Sequence, residues 1–115
     1  MNPKSLICAC LLAAGMAAIP AHAQGEALAR NAPSCGEWIV HREKSDTLAL
    51  GNASWLLGYV SGLAVASGRD YLSGTDNSTI YKWMDNYCRA NPLRDVGSGG
   101  TALAAELARK KAASK

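Results

Sequence analysis

The fold class rests on the stretch Ile80-Tyr81-Lys82-Trp83-Met84-Asp85-Asn86-Tyr87-Cys88. Ile80, Trp83, Met84, Tyr87 and Cys88 fall at i, i+3, i+4, i+7 and i+8, which is one face of an amphipathic α-helix. Asp76 or Ser78 is placed to cap its start, and Asn91-Pro92 stops it, because the residue before proline is driven out of the helical region. Alternation at period two is not sustained anywhere along the chain and β-branched residues are few, so no strand is expected. There is no internal repeat.

Upstream, Arg69 to Asn77 reads as a turn or loop containing Gly74, and before it Thr47 to Gly68 carries no charged residue. Within that segment Trp55, Leu56, Tyr59, Val60 and Leu63 follow one helix face, while Ser54, Gly58, Gly62 and Ala66 line another at spacings of four. The segment is long enough to cross a bilayer, and Gly58-x-x-x-Gly62 has the spacing of a membrane helix pair. Asn52, Ser54, Ser61 and Ser67 lower its hydrophobicity and favour a buried helix of a soluble domain, with no stable membrane insertion. A helix apolar nearly all round must be covered, by the other helices or by a second copy of the protein. The small-residue stripe is expected to be the place where a neighbouring backbone comes close.

Further out, Ser34 is an N-cap for a short helix from Cys35 to about Lys44, with Trp38 and Ile39 as its buried residues. Glu37 and His41 stand one turn apart, and Arg42, Glu43, Lys44 and Asp46 form a dense charge cluster. On the C-terminal side Leu93, Val96, Leu103 and Leu107 fit one helix face. Gly97, Gly99 and Gly100 each cost about 1 kcal/mol in a helix interior, which predicts a break or fray there with Thr101 as a new cap. The basic tail 109–115 is expected to fray, its cations completing a helix C-terminus rather than forming a binding patch.

The N-terminus reads as a targeting segment. Lys4 precedes the uncharged, mostly apolar run from Leu6 to Ile19, Pro20 follows, and Ala21-His22-Ala23 offers small residues at both positions of a cleavage site. The apolar core is too short for a membrane anchor. Residues 1–23 are therefore expected to be a signal peptide, 24–33 a flexible leader, 34–108 a helical domain and 109–115 the tail, in a periplasmic protein. Cys8 and Cys10 leave with the signal. The mature chain keeps eleven basic and all nine acidic residues, a side-chain balance of +2, too mild for a nucleic-acid footprint. Only Cys35 and Cys88 survive, and in an oxidising compartment they most simply form one structural disulfide joining the first helix to the third. The expected fold is all-α, a small bundle of about four helices stapled by that bond.

Little chemistry is visible. The mature chain has one histidine, His41, and two cysteines better assigned to each other, so no metal site and no cofactor is expected. Glu37 and His41 lack a placed nucleophile or second histidine, so a surface pair is favoured over a catalytic one. The run Gly97 to Thr101 lacks the lysine and spacing of a phosphate loop. Asn52-Ala53-Ser54 and Asn77-Ser78-Thr79 match the glycosylation triplet, the first within the expected core. Trp38, Trp55 and Trp83 are spaced as core anchors, not as a ligand cage. An enzyme is not expected.

Ser34-Cys35-Gly36-Glu37-Trp38-Ile39, Trp55-Leu56-Leu57-Gly58-Tyr59, Thr75-Asp76 and Tyr87-Cys88-Arg89-Ala90-Asn91-Pro92, in this order behind a signal peptide, resemble the small periplasmic HdeA/HdeB acid-stress chaperones. The resemblance covers Ser34 to about Leu107. The helix carrying Gly58-Tyr59 and Gly62 is also similar to the Tai-type immunity proteins of type VI secretion. The first resemblance implies a non-enzymatic protein, a folded dimer near neutrality that opens in acid to expose apolar surface and hold denatured clients. Protonating the nine acids and His41 takes the mature side-chain charge from +2 to +12, which is compatible with acid opening.

Two classes of partner protein follow: many unfolded clients, or one folded partner bound by an inhibitor or immunity-type module at neutral pH. Glu37, Asp76 and Asp85 are the candidate pH-sensing acids. Trp38, Trp55, Gly58, Tyr59, Gly62, Leu63, Trp83 and Tyr87 are the expected core or interface residues.

Overall fold

The structure is a computed structural model that describes residues 29–115; the expected signal peptide and the first half of the leader, 24–28, lie outside the described residues. Among the described residues there are four α-helices and no strand: α1 (Cys35–Lys44), α2 (Thr47–Ser67), α3 (Asn77–Ala90) and α4 (Val96–Ala113). The principal packings run α1 on α2, α2 on α4, α4 on α3 and α3 on α1, which closes a four-helix ring around one core.

Each helix starts at a side chain that satisfies its free backbone N–H groups. Ser34 and Glu37 form a reciprocal capping box on α1, Asp46 accepts from the Ala49 amide at the start of α2, Asp76 from Thr79 on α3, and Asp95 from Ser98 on α4. α2 ends at Gly68, whose φ of 64° is the left-handed cap conformation that glycine adopts without steric cost. Ser45 closes α1 in the same conformation at φ 52°.

The core holds Trp38, Leu56, Val60, Met84, Val96 and the Cys35–Cys88 disulfide, all fully buried, with Ile80 and Leu103 beside them. The disulfide joins residues 53 apart in sequence and ties the start of α1 to the end of α3. The segment before α1 is fixed rather than loose at its end. Pro33 is buried, its carbonyl accepts from the Val96 amide, the Cys35 amide donates to the Arg94 carbonyl, and the Trp55 indole N–H donates to the Arg30 carbonyl.

The glycine assignments of the sequence are reversed. Gly58 and Gly62 lie on the outer face of α2, and a Cβ added at either would meet nothing within 4 Å. They are surface residues of the chain, not core. Gly97, Gly99 and Gly100 are buried in the first turns of an unbroken α4. A Cβ at Gly99 would lie 2.6 Å from Met84 Sδ and 2.8 Å from Tyr87 Cδ1, and one at Gly100 would lie 2.7 Å from Tyr59 Cδ1. The expected break is absent because close packing against α2 and α3, with the Asp95 cap, outweighs the roughly 1 kcal/mol that each glycine costs a helix. Thr101 is not a cap; its hydroxyl bonds the Gly97 carbonyl and the Tyr59 hydroxyl. The basic tail does not fray at residue 109, since α4 continues to Ala113 and Lys111 donates to the Ser73 carbonyl.

Candidate functional site

The polar centre of the molecule lies between α1 and α3. The two helices run antiparallel from the disulfide, so that Trp38 and Arg42, one turn apart on α1, both face Asp85 on α3. The Trp38 indole N–H donates to Asp85 Oδ1 at 2.7 Å, Arg42 Nε to the same oxygen at 3.0 Å, and Arg42 Nη2 to Oδ2 at 2.9 Å. This two-pronged guanidinium–carboxylate pairing is the strong geometry for an ion pair. The Arg42 guanidinium also lies 5.7 Å from the Trp38 ring centroid and 5.5 Å from that of Tyr81, within cation–π range of both. Asp85 keeps 15% of its side-chain exposure and Arg42 35%, so the pair is shielded but still touches solvent.

Partial burial pushes the Asp85 carboxyl up, but the hydrogen bonds from Arg42 and Trp38 and the charges of Arg42 and Arg89 outweigh it and hold it below the ordinary aspartate range. Arg42 is raised in return, chiefly by its bond to Asp85. Of the other suspected acids, Glu37 is lowered by the Ser34 backbone amide and hydroxyl, and Asp76 by the Thr79 amide and the Ser78 hydroxyl. Both are exposed helix caps. Asp85 alone of the three bridges two helices.

Two further carboxylates join elements, and neither stood out in the sequence as a site. Asp46 lies 2.7 Å from His41 Nδ1 across the α1–α2 turn, and its carboxyl is lowered by that bond. His41 thus turns to Asp46 and not to the expected Glu37, which is engaged at the Ser34 cap. Glu106 on α4 accepts from the Trp83 indole N–H at 2.6 Å and pairs with Lys110 at 3.0 Å; these bonds, led by Lys110, lower it. The Glu106-x-x-x-Lys110 spacing was the available signal for half of that arrangement.

The expected core or interface residues divide. Trp38 is fully buried. Trp55 and Tyr59 stack on α2 with ring centroids 5.1 Å apart, and Trp83 and Tyr87 stack on α3 at 5.5 Å; all four are half-buried, and Leu63 is too. Outward on α2 stand Leu48, Leu50 and Val65, exposed by 59%, 71% and 82%. Among the described residues α2 is the one helix long and apolar enough to cross a membrane, judged by length and composition alone. Among the same residues no group of three or more His, Cys, Asp and Glu side chains is gathered where it would hold a metal ion.

No protein-family model, curated protein or solved structure matches this chain.

Proposed function

We propose that this is a non-enzymatic, periplasmic protein-binding protein of the acid-stress chaperone kind, folded at neutral pH and opened by acid to present apolar surface to denatured clients. The observation that carries this reading is the half-buried Asp85, held by Trp38 and Arg42 across the α1–α3 seam. Its lowered carboxyl stabilises the closed state above the ordinary aspartate value of about 3.9, and that stabilisation is lost as pH falls through the folded value. Asp46, Asp76, Glu37 and Glu106 are lowered as well and act in the same direction. Arg42 keeps its charge in acid, so neutralising Asp85 leaves an uncompensated cation beside the Trp38 and Tyr81 rings. The disulfide keeps α1 and α3 joined while the rest opens and lets the chain reclose. The resemblance to the HdeA/HdeB chaperones supports the same reading.

The test is aggregation of an acid-denatured client at about pH 2–3 with and without equimolar mature protein, beside a dye-binding titration of the protein alone. Protection of the client, with new dye binding that appears at higher pH in Asp85→Asn, is expected. No protection and no new dye-binding surface at any pH rejects the proposal.

The exposed outer face of α2 favours a second reading, a module that binds one folded partner, or a second copy of itself, at neutral pH. Sedimentation at tens of micromolar separates these: a monomer removes the second copy, and a genetically neighbouring secreted toxin that binds at neutral pH supports the single partner.

A further inference from the structure

Helix α1 is fastened unevenly along its length. Its start is tied to the rest of the molecule by the Cys35–Cys88 disulfide, by the Cys35 amide bond to the Arg94 carbonyl and by the fully buried Trp38. Its far half, residues 40–44, has no fully buried side chain: Val40 is 45% exposed, Glu43 and Lys44 are exposed, and His41 and Arg42 are half-buried. Among the described residues, the hydrogen bonds and ion pairs that hold this half to α2 and α3 all end on two carboxylates. Arg42 pairs with both oxygens of Asp85, and His41 bonds Asp46 Oδ2, while the other oxygen of Asp46 caps α2 at the Ala49 amide. Helix α4, by contrast, keeps ties that acid leaves intact, from the Val96 amide to the Pro33 carbonyl and from Lys111 to the Ser73 carbonyl.

Water reaches both carboxylates. Arg42 lines two open clefts, one of about 180 Å³ with Asp46 and Tyr81, the other of about 320 Å³ with Glu43, Asp85 and Arg89. The charged and titratable groups that face Asp85 are Arg42 and Arg89, with Glu43 at the rim and Tyr81 beside Arg42; the group that faces Asp46 is His41. Against the upward push of burial, the Arg42 and Trp38 bonds hold Asp85 below the ordinary aspartate range, and the His41 bond does the same for Asp46. The attachment is therefore complete above about pH 4 and lost as pH falls through the folded values. In acid the carboxylates are neutral while His41, Arg42, Lys44 and Arg89 are all cationic, so attraction at this end of α1 gives way to repulsion.

We infer that residues 40–44 are an acid-released strap: when Asp46 and Asp85 take up protons, this half of α1 unwinds and lifts off the Trp38 and Tyr81 rings, while the disulfide holds the start of the helix in place. The Arg42 guanidinium lies over both rings, whose centroids are 6.4 Å apart, so its departure uncovers an aromatic pair. Unwinding supplies the slack that the movement needs. A residue advances about 1.5 Å in a helix and about 3.3 Å when extended, so five residues gain about 9 Å with both ends still attached. A ten-residue helix has little stability of its own once its contacts are gone. This inference rests on the acid-opening reading above, and it names the part of the molecule that opens first.

Hydrogen exchange of the mature wild-type protein between about pH 6 and pH 3, corrected for intrinsic rates, tests the strap. The protection of the amides of Val40 to Lys44 is expected to fall at least ~10-fold over this range, at a pH where Met84 to Cys88 and Leu103 to Leu107 remain protected. Loss of protection in all three segments at one pH, or protection of 40–44 that does not change with pH, overturns it. In the double variant Asp46→Asn, Asp85→Asn, the asparagine at 46 can still cap α2. There the amides of 40–44 are expected to be ~10-fold less protected than in the wild type already at pH 6, and to change less than ~3-fold down to pH 3. A fall like that of the wild type overturns the assignment of the two carboxylates. The wild-type order of release decides the matter even where the double variant fails to fold. Release of residues 40–44 without client protection in acid would sink the chaperone reading and keep the strap; client protection with 40–44 as firmly held as α3 would do the reverse.

Discussion

Asp85 and the glycines of α4 are the residues on which most depends. Asp85→Asn removes the negative charge but not the shape, leaving Arg42 with an uncompensated charge beside Trp38 and Tyr81. A pair this shielded lies between exposed and buried ion pairs, so the expected cost at neutral pH is about 1–3 kcal/mol, read by denaturant unfolding. The variant should also show a shallower loss of stability between about pH 4 and pH 2, because the proton that Asp85 takes up on opening is gone. If its pH dependence matches the wild type, Asp85 is not the titrating link. At the glycines, Gly99→Ala and Gly100→Ala are each expected to destabilise by about 1–3 kcal/mol through overpacking against Met84 and the tyrosines, again read by denaturant unfolding.

Among the helices, α2 and α4 have exchanged the roles their sequences suggest. α2 turns Ala49, Ala53, Leu56 and Val60 inward and leaves Gly51, Ser54, Gly58 and Gly62 outside. Gly58→Ala therefore meets no neighbour in the chain and is expected to stabilise the monomer by about 0.5–1 kcal/mol, the gain of alanine over glycine in a helix. Thermal unfolding of dilute protein measures it, and a loss of stability would place something against that face. Gly58→Leu leaves the monomer fold intact for the same reason, so it is the clean probe of the proposed second copy: a leucine there would block close approach of a partner helix and move sedimentation towards monomer.

Across the whole molecule the disulfide is the largest single constraint. It closes a loop that contains all of α2, so it restricts the unfolded chain strongly. Cys35→Ser or Cys88→Ser is expected to cost about 2–5 kcal/mol, and thiol labelling of the unreduced, denatured protein should find no free sulfur among these two residues. Acid works against the same frame. The lowered carboxylates Glu37, Asp46, Asp76, Asp85 and Glu106 each add stability above the ordinary carboxylate values and lose it below the folded ones, so stability should fall steeply below about pH 4. A chain whose stability is flat down to pH 2 would contradict all five assignments.

Local signals along the chain were enough to place α1, α2 and α3 and to mark the beginnings of α1 and α3, whereas the beginning of α4 at Asp95 and Val96 was not legible. The 3.6-residue spacing from Ile80 to Cys88, the Ser34 cap, and the alternatives at Asp76 or Ser78 all concern contacts along one element, which need no knowledge of the rest of the chain. The cysteine pairing was legible too, because only two cysteines remain after residue 23. Packing between helices, by contrast, settled which glycines are buried and which carboxylate bridges two elements. A glycine stripe has the same spacing whether it faces a tyrosine or water, and Gly97 to Gly100 reads as a helix breaker until Tyr59, Met84 and Tyr87 close around it. Asp85 could not be told from Asp76 in the sequence, since each is an acid on or beside the same helix; only the antiparallel seating of α1 brings Trp38 and Arg42 to one of them. Intrahelical periodicity fixes what lies along one element, and the partners across a seam are set by how the elements pack.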